Sequence, residues 1–353
     1  MSLIGKAKLL LLKSFGLSNE DIVNVSKIKK GFDEFAKTNQ TPSESYLSMI
    51  NLFCSTKGYS NEFIHFFISK KYPKIKLENH EGTLGTKSIA DVRKIADAIK
   101  RDGYFVFKNG ITRKVAEYLY DYGINNEASV LPLETNNGPL RKEKINLNDP
   151  VTIRYTFSEE DLINDPTIQE LMTDNSILSV AQEYLGCMPR ADGTNMWWHT
   201  DYSNEPNEEA ATMWHFDMDR VKWLKFFFYL TDVTTETGPH CFIKGSHRIK
   251  GIPDDLLKKG YSRITDEEVE KYYTRDRILE YIAEKGTVIA EDTRGLHKGK
   301  PVIKGARLIF QMQFSDHLFG ASLPNAKFSN KFSPRVETLI KDNKDIYARY
   351  LEA

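Results

Sequence analysis

His215 and Asp217 stand two residues apart, and His297 is followed ten residues later by Arg307. Two imidazoles and one carboxylate are the donors of a facial metal site, in which one side of an octahedral ion is held by protein and three positions stay open. That chemistry suits Fe(II) and the activation of dioxygen. In a β-strand, residues two apart share a face, so His215 and Asp217 can aim at one metal while Trp214 and Phe216 point away. On a helix the pair would diverge. The aromatic-rich run TMWHFDMD favours a strand. The carboxylate also argues against a halogenase, in which a halide takes its place.

The segment ARLIFQMQF alternates, with Arg307, Ile309, Gln311 and Gln313 on one face and Leu308, Phe310, Met312 and Phe314 on the other. A polar inner row on a strand predicts a barrel with a wet cavity, where an arginine can clamp a carboxylate through two parallel hydrogen bonds. WLKFFFYLTDV follows the same rule. Lys225, Phe227, Tyr229 and Thr231 share one face, making Lys225 and Tyr229 candidates for the cavity wall.

The segments MWHFDMDRVKWLKFFFYLTDVTTETGPHCFIKGSHR and EDTRGLHKGKPVIKGARLIFQMQF together resemble the phytanoyl-CoA dioxygenase family of Fe(II)/2-oxoglutarate oxygenases. The resemblance covers residues 87 to 318 and is strongest over 211 to 315. It implies an α+β fold with a double-stranded β-helix (jelly-roll, cupin-like) core flanked by helices. It also implies His215, Asp217 and His297 on iron and Arg307 on the distal carboxylate of 2-oxoglutarate; Lys225 and Tyr229, placed on the cavity wall by their parity, are read as further cosubstrate contacts. Fe(II), 2-oxoglutarate and O2 would be the cofactor and cosubstrates, with succinate and CO2 as coproducts.

A second pair, His199 and Asp201, lies sixteen residues upstream of the first and competes for the metal role. The polar loop YSNEPNEEA follows it, whereas His215 leads into the family-like strand, so the downstream pair is preferred. His199 and Asp201 then become a loop or cavity-rim pair, and Trp197 and Trp198 packing residues. For His297, Asp292 or Thr293 is a candidate orienting partner, because metal-bound histidines usually donate their second N–H to an oxygen. His240 and His247 flank Gly-rich turns and are read as braces for them. His65, His80 and His317 lack companions at ligand spacing and are read as structural or exposed.

The chain has 353 residues, enough for one large domain and an extension, and balances 49 basic against 49 acidic residues. Nothing in that balance, and no basic stripe, points to nucleic acid. Cys54, Cys187 and Cys241 are too few and scattered for a disulfide framework or zinc site, so buried, inert thiols in a cytoplasmic protein are expected. No apolar run reaches the ~18 residues of a membrane span. Residues 1–75 read as a helical extension of unknown role, open to a partner or self-association. Its helices are expected to Phe15, over Asn19 to Ala36, from Ser43, and over Asn61 to Lys70. Residues 72–86 read as a linker, 87–318 as the oxygenase domain, and 319–353 as a tail with a helix. Helix is expected again over Glu159 to Leu185, and a charged, helical insertion over Pro253 to Tyr273.

The sequence thus predicts an Fe(II)/2-oxoglutarate oxygenase, a hydroxylase acting on a small-molecule substrate. The inward polar row of Lys225, Tyr229, Gln311 and Gln313 favours a polar, anionic compound over a long acyl chain. Two alternatives stand beside this reading: a triad metal enzyme that does not use 2-oxoglutarate, and a barrel that binds a ligand without catalysis.

Overall fold

In the computed structural model, residues 16–132, 141–329 and 331–351 are described, so the first expected helix, to Phe15, lies outside them. The next three helices span Asn19–Thr38, Ser43–Thr56 and Tyr59–Lys71. Ser18 opens the first by a reciprocal capping box with Asp21. Ser88 and Thr112 cap the helices Ile89–Asp102 and Arg113–Asn125, each side chain accepting from the backbone N–H three residues on. Gly103 ends the first of these at φ +98°, where a Cβ would also meet the Phe242 ring at 2.5 Å. Only glycine fits both demands.

The helix expected over Glu159 to Leu185 is there and comes in three short pieces, Glu159–Ile163, Pro166–Met172 and Asn175–Leu185. Asp165 and Asp174 each cap the helix that follows them, and Pro166 sits in the first turn of the second. A proline there cannot continue the preceding helix, which explains the break. The insertion over Pro253 to Tyr273 forms only two short helices, Asp254–Leu257 and Asp266–Glu270.

Eleven strands follow in chain order: β1 Tyr104–Phe107, β2 Ala128–Val130, β3 Lys142–Glu143, β4 Arg154–Thr156, β5 Arg190–Thr200, β6 Trp223–Tyr229, β7 His240–Ile243, β8 Ile278–Glu280, β9 Val288–Glu291, β10 His297–Gly299 and β11 Ala306–Ser315. They form an eight-stranded sheet, ordered β1-β9-β6-β11-β5-β4-β2-β3, and a three-stranded sheet, β10-β7-β8. Every pairing is antiparallel.

The alternation read from sequence sorts the large sheet into two faces. Leu224, Phe226, Phe228, Leu308, Phe310, Met312 and Phe314 pack in one cluster with residues of the helices Ile89–Asp102 and Asn175–Leu185. Each such large side chain contributes about 1.5–3 kcal/mol by leaving water. The opposite face puts Trp197, Phe227, Tyr229, Ile289 and Ile309 against Phe242 of β7 and Tyr281. That interior, between the sheets, holds the candidate site.

The N-terminal helices join a third cluster. Ile28, Met49, Leu52 and Phe53 pack with Phe216, Met218, Val221, Cys241 and Ile243, on the far side of the segment carrying His215 and Asp217. Polar ties reinforce the packing. Asn61 donates to the Val221 carbonyl at 2.9 Å, His65 meets Asp316 at 2.7 Å, and Glu62 pairs with Arg294 at 2.8 Å. At the other end, the helix Pro334–Asp342 places Val336 and Ile340 in the main core beside Tyr347 and Tyr350.

Candidate functional site

His215 and Asp217 lie on an extended segment outside the two sheets, not on a ladder strand as TMWHFDMD suggested. Reciprocal backbone hydrogen bonds of 3.0 and 2.9 Å tie His215 to His297, and the Asp217 N–H donates to the Thr293 carbonyl at 2.8 Å. Trp214 is bridged to Ile264 on the other side. The parity survives without the strand: Trp214 and Phe216 are buried in the cluster shared with the N-terminal helices. His215 and Asp217 project the other way, toward His297.

The three side chains converge, their donor atoms all within 4.8 Å of one another. His215 Nε2 is 3.7 Å from Asp217 Oδ1, and His297 Nε2 is 3.5 Å from Asp217 Oδ2. Adjacent ligands of one first-row ion, bound at about 2.1 Å, stand roughly 3 Å apart, so a small inward adjustment closes the triad on a metal. The tautomers are fixed by the backbone. His215 Nδ1 lies 2.8 Å from the Met213 carbonyl and His297 Nδ1 lies 3.0 Å from the Gly295 carbonyl. A carbonyl only accepts, so each Nδ1 carries the proton and each Nε2 presents its lone pair. The orienting partner of His297 is therefore Gly295, not Asp292 or Thr293. Asp292 is engaged with Arg294 at 2.7 Å and with Tyr184.

Burial pushes both imidazoles down, His215 well below its ordinary range and His297 to about 4, so both are neutral and able to serve as ligands. Burial acts the other way on Asp217 but is outweighed by Lys225 and the two imidazoles, leaving its carboxyl well below the usual range. Lys225 bridges Asp217 at 2.6 Å and Asp219 at 3.1 Å. It does line the interior, but its ammonium is committed to these carboxylates. The Tyr229 hydroxyl donates to the Tyr281 carbonyl at 3.0 Å and accepts from the His240 N–H at 3.3 Å, so it too is already bonded to protein.

Arg307 is 1% exposed, yet its Nε and Nη1 have no hydrogen-bond partner among the described residues. Two unsatisfied N–H groups on a buried guanidinium are costly and mark a place shaped for an oxyanion. Its Nη2 donates to His199 Nδ1 at 2.7 Å. The other ring nitrogen of His199 then carries the proton and donates to the Ala210 carbonyl at 3.0 Å. His199 is thus a neutral acceptor that aims Arg307, its pKa held well below the ordinary value by burial and then by Arg307 and Arg154. Asp201 does not join it; its carboxylate accepts from the Gly305 N–H at 2.8 Å in an exposed turn. The second His-x-Asp pair therefore diverges, as a strand end passing into a turn dictates. Gly299 leaves the room Arg307 occupies, since a Cβ there would stand 2.8 Å from Nη2.

His240 was read as a turn brace. It instead lies on β7 inside the cavity, its ring 5.7 Å from that of His297 and its Nε2 2.9 Å from Glu291. Burial lowers His240 to about 3 and raises Glu291 well above its ordinary value, so the pair is uncharged. His247 does act as a brace, bonding the Lys100 carbonyl at 3.1 Å. His65 and His80 are likewise structural, His80 meeting Ser179 at 2.9 Å, and His317 packs against Phe32 and Phe35. Cys187 and Cys241 are buried, but Cys54 is only partly so; burial raises the thiol pKa to about 12 at the first two and about 11 at Cys54.

Sequence reasoning missed Glu291, Arg154 and Arg263. Arg154 sits on a three-residue strand, too short to show its period. Arg263 sits in the insertion.

A family model for phytanoyl-CoA dioxygenase matches residues 99–305, taking in His215, Asp217 and His297 and ending two residues before Arg307. No curated protein sequence matches the chain. Among solved structures, it is similar to the epimerase SnoN in complex with Fe3+, alpha ketoglutarate and nogalamycin RO, at 19% identity and a TM-score of 0.43, covering 64% of this chain and 84% of that one. HygX from Streptomyces hygroscopicus, with nickel, 2-oxoglutarate and hygromycin B bound, is 14% identical at a TM-score of 0.44, covering 67% and 93%. EctD from S. alaskensis in its apoform is 16% identical at 0.45, covering 74% and 91%. Among the described residues, no helix is long and apolar enough to cross a membrane.

Proposed function

The chain belongs to the phytanoyl-CoA dioxygenase family, and on that premise we propose that it is an Fe(II)/2-oxoglutarate-dependent hydroxylase of a small polar metabolite. His215, Asp217 and His297 hold the iron, and Arg307 holds the distal carboxylate of 2-oxoglutarate. The two sheets are read as the double-stranded β-helix, within an oxygenase domain over residues 87–318. The observation that carries the reading is the pairing of two features in one interior: a neutral, pre-oriented His/Asp/His face and a buried guanidinium with two unpartnered nitrogens.

When bound, Fe(II) with 2-oxoglutarate supplies the oxidising chemistry, dioxygen being consumed and the cosubstrate leaving as succinate and CO2. The chain's own residues do the positioning. Met213 and Gly295 carbonyls hold both imidazoles with Nε2 inward, and Lys225 keeps Asp217 ionised and acceptor-only. His199 fixes the guanidinium of Arg307, so a carboxylate meets donors already oriented. Phe227, Ile289, Ile309 and Phe242 exclude water between the sheets. Lys225 and Tyr229 act as wall and support for the cosubstrate rather than as its principal anchors.

The test is anaerobic titration of the metal-free protein with Fe(II) and then 2-oxoglutarate, following the weak visible charge-transfer band of the chelate. The band is expected in the wild type and in His199→Ala, and is lost in His215→Ala. Bound iron without any band would remove 2-oxoglutarate from the reading and favour a triad enzyme that works without it.

A further inference from the structure

Arg307 is not the only guanidinium at this site. In the register of the large sheet, Arg154 of β4 lies directly across from His199 of β5, and His199 directly across from Arg307 of β11. Residues directly opposite in an antiparallel pair share a face, so the row Arg154, His199, Arg307 points as one into the interior. Arg154 lies over the Trp197 ring, 4.9 Å from its centroid, and its Nε donates to Thr156 at 3.2 Å. Among the described residues, no other hydrogen bond and no ion pair is seen for this half-buried side chain, although the charge of Glu209 acts on it.

Arg263 arrives from the opposite wall. Ile264 is bridged to Trp214, with its N–H donating to the Trp214 carbonyl at 2.8 Å. Trp214 and Ile264 are both buried on the side of the N-terminal helices. Continuing that antiparallel register puts Arg263 across from His215, on the side of the metal triad. Arg263 is half-buried, and among the described residues no hydrogen bond or ion pair is seen for its side chain. Its charge is felt at both places, depressing His215 and Arg154. Arg154, lowered to about 10 by burial and then by Arg307, has Glu209 as the carboxylate that acts against these effects. Beneath Arg154, the Trp197 Nε1–H is buried without a partner among the described residues.

One distal carboxylate can satisfy Arg307. It leaves two further half-buried guanidiniums, Arg154 and Arg263, with free donors, while Lys225 offsets part of the charge of the nearby Asp217 and Asp219. We propose that Arg154 and Arg263 form a second oxyanion subsite that binds a carboxylate or phosphate of the substrate and holds its reacting carbon over the metal triad. This rests on the oxygenase reading and gives it a substrate class: a small molecule bearing an oxyanion, with the oxidised C–H bond on the side away from that group. Guanidiniums bind either oxyanion by the same forked geometry, so the two sources share one chemistry.

The test uses inorganic phosphate and acetate as probes, titrated into protein carrying Fe(II) and saturating 2-oxoglutarate without oxygen, and into metal-free Arg307→Gln. Tryptophan fluorescence reports binding, since Trp197 lies beneath Arg154. Saturable binding at millimolar probe is expected in both preparations. Arg154→Gln and Arg263→Gln should each weaken it tenfold or more, while the affinity for 2-oxoglutarate, read from the chelate band, stays within about twofold of wild type. Arg154→Lys and Arg263→Lys keep the charge and should recover part of the probe binding, which separates recognition from misfolding. A probe preference of tenfold distinguishes a phosphate-bearing from a carboxylate-bearing substrate. Probe binding unaffected by either substitution, no saturable binding in wild type, or loss of 2-oxoglutarate affinity in Arg154→Gln equal to that in Arg307→Gln would each overturn the subsite. Because metal-free Arg307→Gln needs neither iron nor 2-oxoglutarate, probe binding there persists if only the oxygenase reading is wrong.

Discussion

Replacing Arg307 by methionine should make the metal-free protein more stable while removing its cosubstrate affinity. The side chain is 1% exposed, and two of its nitrogens, Nε and Nη1, lack partners among the described residues. Each buried, unsatisfied N–H costs about 1–3 kcal/mol, so the pair destabilises the empty protein by roughly 2–6 kcal/mol. Methionine fills similar length with no polar group to satisfy. The substitution also loses the 2.7 Å bond to His199 and leaves that Nδ1 unpaired, which returns roughly 1.5–3 kcal/mol. The net expectation is a gain on the order of 1–3 kcal/mol, measured as a raised urea midpoint with unchanged slope. The second arm adds Fe(II) and 2-oxoglutarate without oxygen. A ligand at a hundred times its Kd stabilises the wild type by about 2.7 kcal/mol, and the variant should show no part of this that depends on 2-oxoglutarate. A variant less stable than wild type by more than about 1 kcal/mol would mean that Arg307 is satisfied in the empty protein, and the case for an oxyanion site built around it would fail.

Four further outcomes follow from the geometry. His199→Phe should keep metal binding but weaken 2-oxoglutarate roughly tenfold to a hundredfold, the worth of a hydrogen bond to a charged group, read by the chelate titration; equal affinity would mean Arg307 needs no aiming. Gly299→Ala places a Cβ 2.8 Å from Arg307 Nη2 and should raise the 2-oxoglutarate Kd while leaving Fe(II) affinity within a few-fold, by calorimetry. Glu62→Gln leaves the buried Arg294 with the Asp292 carboxylate as its remaining ion-pair partner and should cost about 1.5–3 kcal/mol in urea unfolding, the worth of a charged hydrogen bond, with weaker Fe(II) binding, because Arg294 lies three residues before His297. His240 is lowered from 6.5 to about 3, so the unfolded chain takes up the proton first and stability falls as pH drops below about 6.5. Metal-free protein should lose roughly 1.4 kcal/mol per pH unit from this residue down to its folded value, and His240→Gln should flatten that part of the profile.

The site was legible in sequence to the extent that chemistry is periodic. Alternation in ARLIFQMQF and WLKFFFYLTDV placed Arg307, Gln311, Gln313, Lys225 and Tyr229 on one face, and the register of β11 with β6 puts Gln313 opposite Lys225 and Gln311 opposite Phe227. His215 and Asp217 kept their parity although their segment is held by bridges rather than a ladder, since extended backbone alternates in either case. What alternation could not report is which inward group finds which partner. Lys225 is taken up by Asp217 and Asp219 of the segment just before its strand, whereas Tyr229 finds the Tyr281 carbonyl and His199 finds Arg307, partners distant in sequence that only the fold brings together. The helical stretch over Glu159 to Leu185 is divided for a local reason that is legible in sequence, an Asp-Pro at the second start and an Asp cap at the third.

The charge count of the whole chain, 49 against 49, offered no field to draw an anion, yet the interior is far from balanced. Lys225 cancels part of the charge of Asp217 and Asp219, and burial keeps His199 and His240 neutral and Glu291 protonated. What remains between the sheets is a His/Asp/His triad facing Arg307, with Arg154 and Arg263 around it and no ion pair seen on any of the three arginines among the described residues. In a water-poor interior such charges act over longer distances than on the surface, because screening there is weak. An empty site of this kind is poised against itself: Arg307 and Arg263 both depress Arg154. On the proposed reading, a dianionic cosubstrate at the metal and Arg307 would relieve part of that repulsion, and an anionic substrate at Arg154 and Arg263 would relieve the rest. Each anion bound therefore changes the field that the next one meets, so the affinity for substrate and the affinity for 2-oxoglutarate are expected to be coupled through the His199 row rather than independent.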